Sequence, residues 1–342
     1  MRHQTPFRRL SMSLSEPPSS DRSSAILPAP SRATTANRSA GALSGNSPVP
    51  AVRYEHIEVT PLTPSIGAVV TGKQLRSIDA ATFEEIHAAW LRHLVLFFPD
   101  QALTPAEHLA FSERFGTPHV HPAAPYADDN PAIMVIHTDA DSKRNNGGGW
   151  HTDVSADEQP PKATLVHLHQ LPSQGGDTLF TNMYEVLATL SPALQAFLTR
   201  LNAEHVANYS GFYGDHAPQR ASPKCIHPMV RTHPETGRNA LYVNPGFTRR
   251  ICELSDSESA ALLKMLFEHA THPRFQCRYQ WSRNALALWD NRCTWHQAVW
   301  DYYPETRSGL RVSIVGDRPT YRADAVGTDG KKAYQNGVKG VA

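Results

Sequence analysis

The sequence predicts a mainly β protein, a sandwich or barrel with helices packed outside it. Most apolar residues fall into short alternating or continuous runs, and turn residues end each run, as is typical of strands. The 27 prolines and 20 glycines supply frequent turns. Few segments carry helix-capping signals. Many short strands with a few helices indicate a β core rather than alternating β and α units.

Strands are predicted wherever apolar residues alternate or run together between turn residues. Because successive side chains of a strand point to opposite faces, alternation indicates a half-buried strand, and a continuous run indicates one buried on both faces. The predicted strands are 54–61, 66–72, 94–98, 132–137, 163–171, 178–181, 204–209, 226–232, 240–243, 275–281, 285–289 and 310–316.

Four helices are predicted from their capping residues. A Ser, Thr or Asp side chain at a helix start can bond backbone N–H groups that have no partner in the first turn. A glutamate three residues later completes a capping box. The predicted helices follow Asp79, Thr104, Ser191 and Ser255, and Glu107 and Glu258 complete capping boxes in the second and fourth.

The two ends of the chain differ from its middle. Residues 1–50 hold eleven Ser, seven Pro and six Arg but only two acids, so we expect a disordered N-terminal extension. This composition resembles an organellar transit peptide as well as a plain tail. Residues 322–342 predict a loose C-terminal tail. Without a repeat or a dividing linker, 52–320 is expected to form one domain.

Composition excludes several classes of protein. Thirty-three Lys+Arg against 32 Asp+Glu give a formal charge of +1, which argues against a nucleic-acid binder that uses a basic surface. No apolar stretch is long enough for a membrane span. The four cysteines are scattered, so neither a disulfide framework nor a thiolate zinc site is expected. We expect a cytoplasmic protein, with organellar import and homo-oligomerisation both left open.

The sharpest local signal is the pair His151 and Asp153, in a chain with 18 histidines. On an extended strand these two side chains point the same way and can bind one ion. His296 is the best candidate for a third ligand, giving two histidines and one carboxylate with open positions opposite. His167 and His169 have the same spacing. With a third histidine they could form a zinc site, although a pair of partly buried histidines is the simpler interpretation.

Two arginines follow the candidate ligand His296. Arg307 and Arg311 lie four residues apart, and Arg311 enters the predicted strand 310–316. A guanidinium binds a carboxylate through two parallel hydrogen bonds, so two arginines near a metal suit one or two organic acids. The alternative is two solvated arginines near Asp301 and Glu305.

Three spaced blocks of sequence stand out, with a short fourth one after them. They are WHTDVS at 150–155, LPSQGGDTLFTN at 171–182, and LWDNRCTWHQAVWDYYPETRSGLR at 288–311, with VGDRP following at 315–319. These blocks resemble the taurine dioxygenase / 2,4-D dioxygenase (TauD/TfdA) family of Fe(II)- and 2-oxoglutarate-dependent dioxygenases. Their order and spacing match across roughly 52–320. The resemblance implies a double-stranded β-helix (jelly-roll) core.

The resemblance also implies a set of site residues. Fe(2+) would be held by His151, Asp153 and His296, which are also the expected catalytic residues, with 2-oxoglutarate and O2 as co-substrates. The C5 carboxylate of 2-oxoglutarate would pair with Arg307, assisted by Thr178. The substrate would be held by Arg311, His121 and Val154, and Arg311 completes the anion-binding pair with Arg307.

The implied reaction hydroxylates a small organic anion next to a heteroatom and releases succinate and CO2. Relative to the taurine enzyme, Ala124 and Gly147 replace a Tyr and an Asn, so we expect a larger, less polar pocket. An alkylsulfonate such as taurine or an alkyl sulfate ester is the expected substrate. The alternatives are an aryloxyalkanoate-type or biosynthetic hydroxylase, a zinc hydrolase or hydratase using the same histidines, and a non-catalytic binding protein.

Overall fold

The computed structural model describes residues 52–121, 126–127, 130–145, 147–207 and 224–324. The predicted extension at 1–50, most of the predicted tail at 322–342 and the substitution at Ala124 lie outside these residues. Among the described residues, none of the helices combines the length and the hydropathy that a membrane span requires.

Short strands make up most of the regular structure, and five helices lie among them in the described part of the chain. The helices are α1 (Ala80–His93), α2 (Pro105–Glu113), α3 (Met183–Ala188), α4 (Pro192–Leu198) and α5 (Asp256–Ala270). The strands are β1 (Glu58–Pro61), β2 (Ala68–Thr71), β3 (Val95–Phe98), β4 (Pro118–His119), β5 (Tyr126–Ala127), β6 (Asn130–Thr138), β7 (Ala163–Gln170), β8 (Thr178–Asn182), β9 (Asn202–Val206), β10 (Lys224–Pro228), β11 (Val230–Thr232), β12 (Asn239–Leu241), β13 (Thr248–Ile251), β14 (Gln276–Tyr279), β15 (Ala285–Asp290), β16 (Thr294–Ala298) and β17 (Arg307–Ile314).

A large sheet forms one wall of the molecule. Its strands run in the order β1-β2-β3-β15-β7-β17-β6-β5, with β4 also paired to β17. All pairs are antiparallel except β2 with β3. Ser308 and Gly309 form an irregularity in the pairing of β17 with β7. A methyl group added at Gly309 would overlap the carbonyl of His167, so only glycine fits there.

A second antiparallel sheet, β14-β8-β16, faces the first. Phe97 of β3 stacks on Tyr279 of β14 at 3.8 Å between ring centroids, and it meets Phe180 of β8 at 5.6 Å. Phe180 in turn contacts Trp289 of β15 at 5.6 Å. These aromatic contacts fill the space between the sheets. The predicted jelly-roll core, mainly β with peripheral helices, is confirmed.

The opposite face of the large sheet is covered by helices α1 and α2. Alternate residues of each strand divide between the two faces, as Leu96 and Leu165 pack under the helices while Phe97 and Val166 point into the sandwich. Trp90 of α1 is fully buried in this outer layer. The site described below lies on the inner face.

The predicted capping residues begin four helices as expected. Both capping boxes are formed, with Thr104 and Ser255 as N-caps. Asp79 and Ser191 cap α1 and α4. Helix α3 was not predicted, although Asn182 caps it by accepting hydrogen bonds from two backbone N–H groups. Its six residues are too few for a clear helical period.

Two strand predictions need correction. The predicted strand 226–232 divides into β10 and β11, which belong to different sheets. The extended strand assumed for His151 and Asp153 is absent: His151 makes a single β-bridge, and a turn begins at Asp153. The hydroxyl of Thr152 bonds the carbonyl of Asn291, and the N–H of Asp157 bonds the carbonyl of Val154, which closes the turn.

Candidate metal centre

His151 and His296 are paired through their backbones. The N–H of His151 donates to the carbonyl of His296 at 3.1 Å, and the reverse hydrogen bond measures 2.8 Å. Their rings lie 4.1 Å apart between centroids. His296 belongs to β16, which is held by β8. The backbone therefore brings two residues that are distant in sequence to one place.

Asp153 completes the cluster. Its Oδ1 lies 3.6 Å from Nε2 of His151 and 3.6 Å from Nε2 of His296. All three side chains are buried. The next residue, Val154, has φ of +46°, which is rare for a β-branched residue. Such strained conformations concentrate at functional sites, where the surrounding structure holds them in place.

The protonation states of this cluster suit a metal ion. Burial opposes ionisation of Asp153, but the positive charge of Arg311 and the neighbouring ring of His296 outweigh it and hold the pKa of its carboxyl well below the usual value. Burial and the neighbouring His151 hold the pKa of His296 well below its usual value. A carboxylate and a neutral imidazole are the forms that bind metals.

The donor geometry fits a divalent ion. His151 Nδ1 lies 2.8 Å from the carbonyl oxygen of Gly149, so this nitrogen carries the proton and Nε2 carries the lone pair that can bind a metal. The three candidate ligand atoms lie within 4.8 Å of one another. Ligand atoms that each lie about 2.1 Å from one ion are about 3 to 4 Å apart, so small side-chain movements close the site. Two histidines and one carboxylate are the ligands of non-haem Fe(II) oxygenases.

A second group of metal-ligand types, His233, Asp290 and Cys293, is also buried. Nδ1 of His233 accepts from two backbone N–H groups at 3.2 and 3.1 Å, so Nε2 carries the proton and donates to Asp290 at 3.0 Å. Arg292 donates to both carboxylate oxygens of Asp290 at 2.8 Å. The N–H groups of His233 and Arg292 therefore occupy the carboxylate oxygens of Asp290 that a metal ion would bind. This group is a structural cluster of ion pairs and hydrogen bonds.

The histidines of the zinc alternative do not gather a ligand set. His167 is buried and its Nε2 lies 2.7 Å from the carbonyl oxygen of Gln101, whereas His169 is exposed. Neither belongs to a group of three potential ligands in the described part of the chain. Of the two tryptophans beside this region of the chain, Trp289 lines the cleft and Trp295 is buried.

A cleft opens beside the metal ligands and encloses about 980 Å³ of empty space, part of it open to solvent. All residues predicted for the site line it. They are His121, His151, Asp153, Val154, Thr178, His296, Arg307 and Arg311.

Arg307 lies in this cleft as a buried cation without an acid partner. Its Nε donates to the carbonyl of Gly176 at 3.1 Å, and Nη2 lies 3.5 Å from the hydroxyl of Thr178. Within the described residues, no carboxylate is within ion-pair distance of it. Burial lowers the pKa of Arg307. An unpaired buried charge is costly, so this guanidinium fits an anionic ligand such as 2-oxoglutarate.

Arg311 lies nearer the metal ligands. Its Nη2 is 2.9 Å from Oδ1 of Asp153, without the alignment of a hydrogen bond, and its Nε donates to Ser313 at 3.2 Å. His121 lies at the same end of the cleft, and burial lowers its pKa to about 3, so it is neutral near pH 7. A substrate anion at this end would meet one guanidinium and one neutral imidazole.

Two features of the site were not predicted from the sequence. The indole of Trp281 donates to the hydroxyl of Thr178 at 2.9 Å, and its ring lies 5.6 Å from the guanidinium carbon of Arg307. Thr164 donates to Oδ2 of Asp153 at 2.8 Å. No local pattern marks either residue, because each is brought to the site by pairing between strands.

A jelly-roll core that carries two histidines and one carboxylate beside a buried guanidinium defines the class of Fe(II)-dependent oxygenases that use an organic acid as co-substrate. The family model described as "Taurine catabolism dioxygenase TauD, TfdA family" matches residues 58–313. The chain belongs to this family.

Individual relatives support the same conclusion. An alkylsulfatase of Acinetobacter baylyi is 33% identical over 283 residues, which cover 78% of this chain and 87% of the relative. An alpha-ketoglutarate-dependent sulfate ester dioxygenase of Pseudomonas putida is 33% identical, and the alignment covers 80% of this chain and 93% of the relative. The crystal structure of a taurine dioxygenase from Burkholderia xenovorans matches with a TM-score of 0.69 at 37% identity. The match covers 81% of this chain and 93% of that structure. The protein is an Fe(II)- and 2-oxoglutarate-dependent dioxygenase, and O2 is its second co-substrate.

Proposed function

We propose that the protein hydroxylates a small organic anion at a carbon next to a heteroatom, with an alkylsulfonate or alkyl sulfate ester as substrate. The hydroxylated carbon then loses the heteroatom group as a carbonyl forms. In this proposal His151, Asp153 and His296 bind the iron.

The charge of the cleft carries the proposal. With histidines taken as neutral, the described lining residues with a formal charge are Asp153, Arg307 and Arg311. These side chains and a ferrous ion together give +3. The dianion of 2-oxoglutarate neutralises two of these charges, so one positive charge remains for a monoanionic substrate. Buried charges require partners, so a neutral substrate would leave the cleft unbalanced.

The rest of the lining favours an alkyl or aryl group on that anion. Met134, Ile136, Val166 and Phe247 contribute apolar side chains to the cleft. Gly147 also lines it and adds no side chain there. An apolar lining with a few charged groups is typical of pockets that orient a ligand by its charged end.

Each end of the cleft has a distinct task. Arg307 and Thr178 hold the distal carboxylate of 2-oxoglutarate, and Arg311 and His121 hold the charged group of the substrate. When bound, iron, 2-oxoglutarate and O2 supply the oxidising power, and 2-oxoglutarate ends as succinate and CO2. The protein places the substrate carbon.

A substrate panel tests this proposal. Alkyl sulfates, alkylsulfonates, aryloxyalkanoates and a neutral methyl ether of the same chain length are compared by succinate release and by oxidised product. We expect product from the sulfates or sulfonates and none from the ether. Preferred oxidation of an aryloxyalkanoate would assign the alternative substrate class. Product from the ether at the same rate as from the anions would contradict the proposal.

The variant Arg311→Gln provides the matched test of charge. Gln keeps hydrogen-bonding capacity but removes the cation, so the KM for the anionic substrate should rise by about 10- to 100-fold. The 2-oxoglutarate concentration needed for half-maximal turnover should change much less. If only the 2-oxoglutarate requirement rises, the roles of Arg307 and Arg311 are exchanged.

A further inference from the structure

Thr164 lies fully buried on the inner face of β7, beside the carboxylate of Asp153. The sheet register places it opposite Trp289 of β15 and Ser313 of β17. Its Oγ1 is 2.8 Å from Oδ2 of Asp153, 2.9 Å from Nδ2 of Asn291 and 3.2 Å from Oγ of Ser313. One hydroxyl therefore connects a candidate metal ligand with the turn after β15.

The direction of these hydrogen bonds follows from the chemistry of the groups. An indole N–H can only donate. Nε1 of Trp289 lies 2.9 Å from the side chain of Asn291, so the Asn291 atom that it contacts must be the amide oxygen, Oδ1. The amide nitrogen of Asn291 therefore points at Thr164 and donates to its oxygen. The proton of Thr164 is left for another acceptor, and the carboxylate of Asp153 is both nearer and stronger than the Ser313 hydroxyl.

We propose that Trp289, Asn291 and Thr164 form a one-directional hydrogen-bond chain that fixes which oxygen of Asp153 faces the two histidines. The inference rests on the proposed function, because it assumes that Asp153 binds iron. The three residues are positioning residues, since none of them is among the candidate metal ligands.

The chain has a consequence for the number of positions open on the metal. Oδ2 of Asp153 is occupied by Thr164, so only Oδ1 faces Nε2 of His151 and Nε2 of His296, each at 3.6 Å. A carboxylate that supplies one oxygen leaves more positions for 2-oxoglutarate and O2 than one that supplies two. Groups that orient a metal ligand in this way commonly change metal affinity 10- to 100-fold when removed.

Binding of Mn²⁺ to the metal-free full chain, measured calorimetrically without 2-oxoglutarate, tests the proposal. Thr164→Val keeps the shape but removes the hydroxyl, and the Kd for Mn²⁺ should rise about 10- to 100-fold. Thr164→Ser restores the hydroxyl and should stay within about threefold of the native Kd. Thr232→Val is the control, because it removes a buried hydroxyl that donates to Asn239 at 2.7 Å, outside the cleft. Its Mn²⁺ affinity should not change.

Trp289→Phe is a second variant should Thr164→Val fail to fold. It keeps an aromatic ring but removes the donor that orients Asn291, so the Kd should rise by about 3- to 10-fold. Native affinity for Mn²⁺ in folded Thr164→Val, or in Trp289→Phe when only that variant folds, would overturn the inference and leave the metal site intact. Failure of the native protein to bind Mn²⁺ would instead overturn the proposed function.

Discussion

The indole N–H of Trp281 donates a hydrogen bond to the hydroxyl oxygen of Thr178 at 2.9 Å. Arg307 lies within 3.5 Å of the same oxygen. Because Trp281 and Arg307 both present N–H donors to this oxygen, the Thr178 hydroxyl can point its own proton into the cleft, where it can donate to a ligand. The proposed site for the distal carboxylate of 2-oxoglutarate is thus oriented before the ligand arrives, which lowers the cost of binding.

The first prediction concerns this hydrogen bond. Trp281→Phe removes the N–H and keeps a ring near Arg307, so the Kd for 2-oxoglutarate should rise by about 3- to 10-fold. The affinity for Mn²⁺ should not change, because within the described residues Trp281 contacts Thr178, Tyr279 and Arg307 rather than the candidate metal ligands. Calorimetry with each ligand separates the two effects. An equal loss of both affinities would indicate a general disturbance of the cleft instead.

The second prediction concerns the buried charge of Arg307. Arg307→Met removes a cation that has no acid partner in the described chain. The free energy of unfolding of the metal-free protein should therefore rise by about 1 kcal/mol. The Kd for 2-oxoglutarate should rise at least 100-fold, because the ligand loses its charged partner. Denaturant unfolding and calorimetry measure the two quantities.

Arg292→Met is the matched control for that variant. Arg292 is also buried but pairs with the buried Asp290, so the same substitution leaves a carboxylate without its cationic partner. It should destabilise the protein by about 3 to 5 kcal/mol. If Arg307→Met destabilises the metal-free protein as much as Arg292→Met, then Arg307 is a structural residue and not a ligand site.

The third prediction concerns stability at acid pH. Burial lowers the pKa of His108 from 6.5 to about 3 in the folded protein, with His167 adding to the effect. Between these values the unfolded chain binds a proton that the folded chain does not. Stability from this group is therefore complete above pH 6.5 and is lost as the pH falls towards 3.

Replacement of His108 by Leu should reduce the slope of unfolding free energy against pH below 6.5 by about 1.4 kcal/mol per pH unit. The native protein, unfolded under the same conditions, is the control. Denaturant unfolding at several pH values measures the slope. An unchanged slope in His108→Leu would show that His108 does not titrate differently in the two states.

The sequence was sufficient to predict the elements that depend on local signals. Both capping boxes and most strands follow from residue types a few positions apart. The spacing of His151 and Asp153 also predicted that they share one site, although the assumed extended backbone was wrong. A turn brings the two side chains together instead. In this turn Val154 adopts a positive φ, and no propensity rule predicts that conformation for valine.

The remaining features depend on pairing between distant strands. Arg307 is the first residue of β17, which begins three residues before the predicted strand 310–316. The irregular pairing at Ser308 and Gly309 follows directly after Arg307. Thr164 reaches Asp153 only because β7 lies between β15 and β17. Such registers are set by the whole sheet and cannot be read from a local pattern.

The most direct test of the central claim is anaerobic titration of the metal-free protein with Fe(II) and 2-oxoglutarate, followed by visible absorption. If His151, Asp153 and His296 bind one ferrous ion beside Arg307, the native protein should develop a weak charge-transfer band that saturates at one iron per chain. Asp153→Ala and His296→Ala should each lose the band at the same concentrations. A band of native intensity and affinity in Asp153→Ala would contradict the assignment of the metal centre.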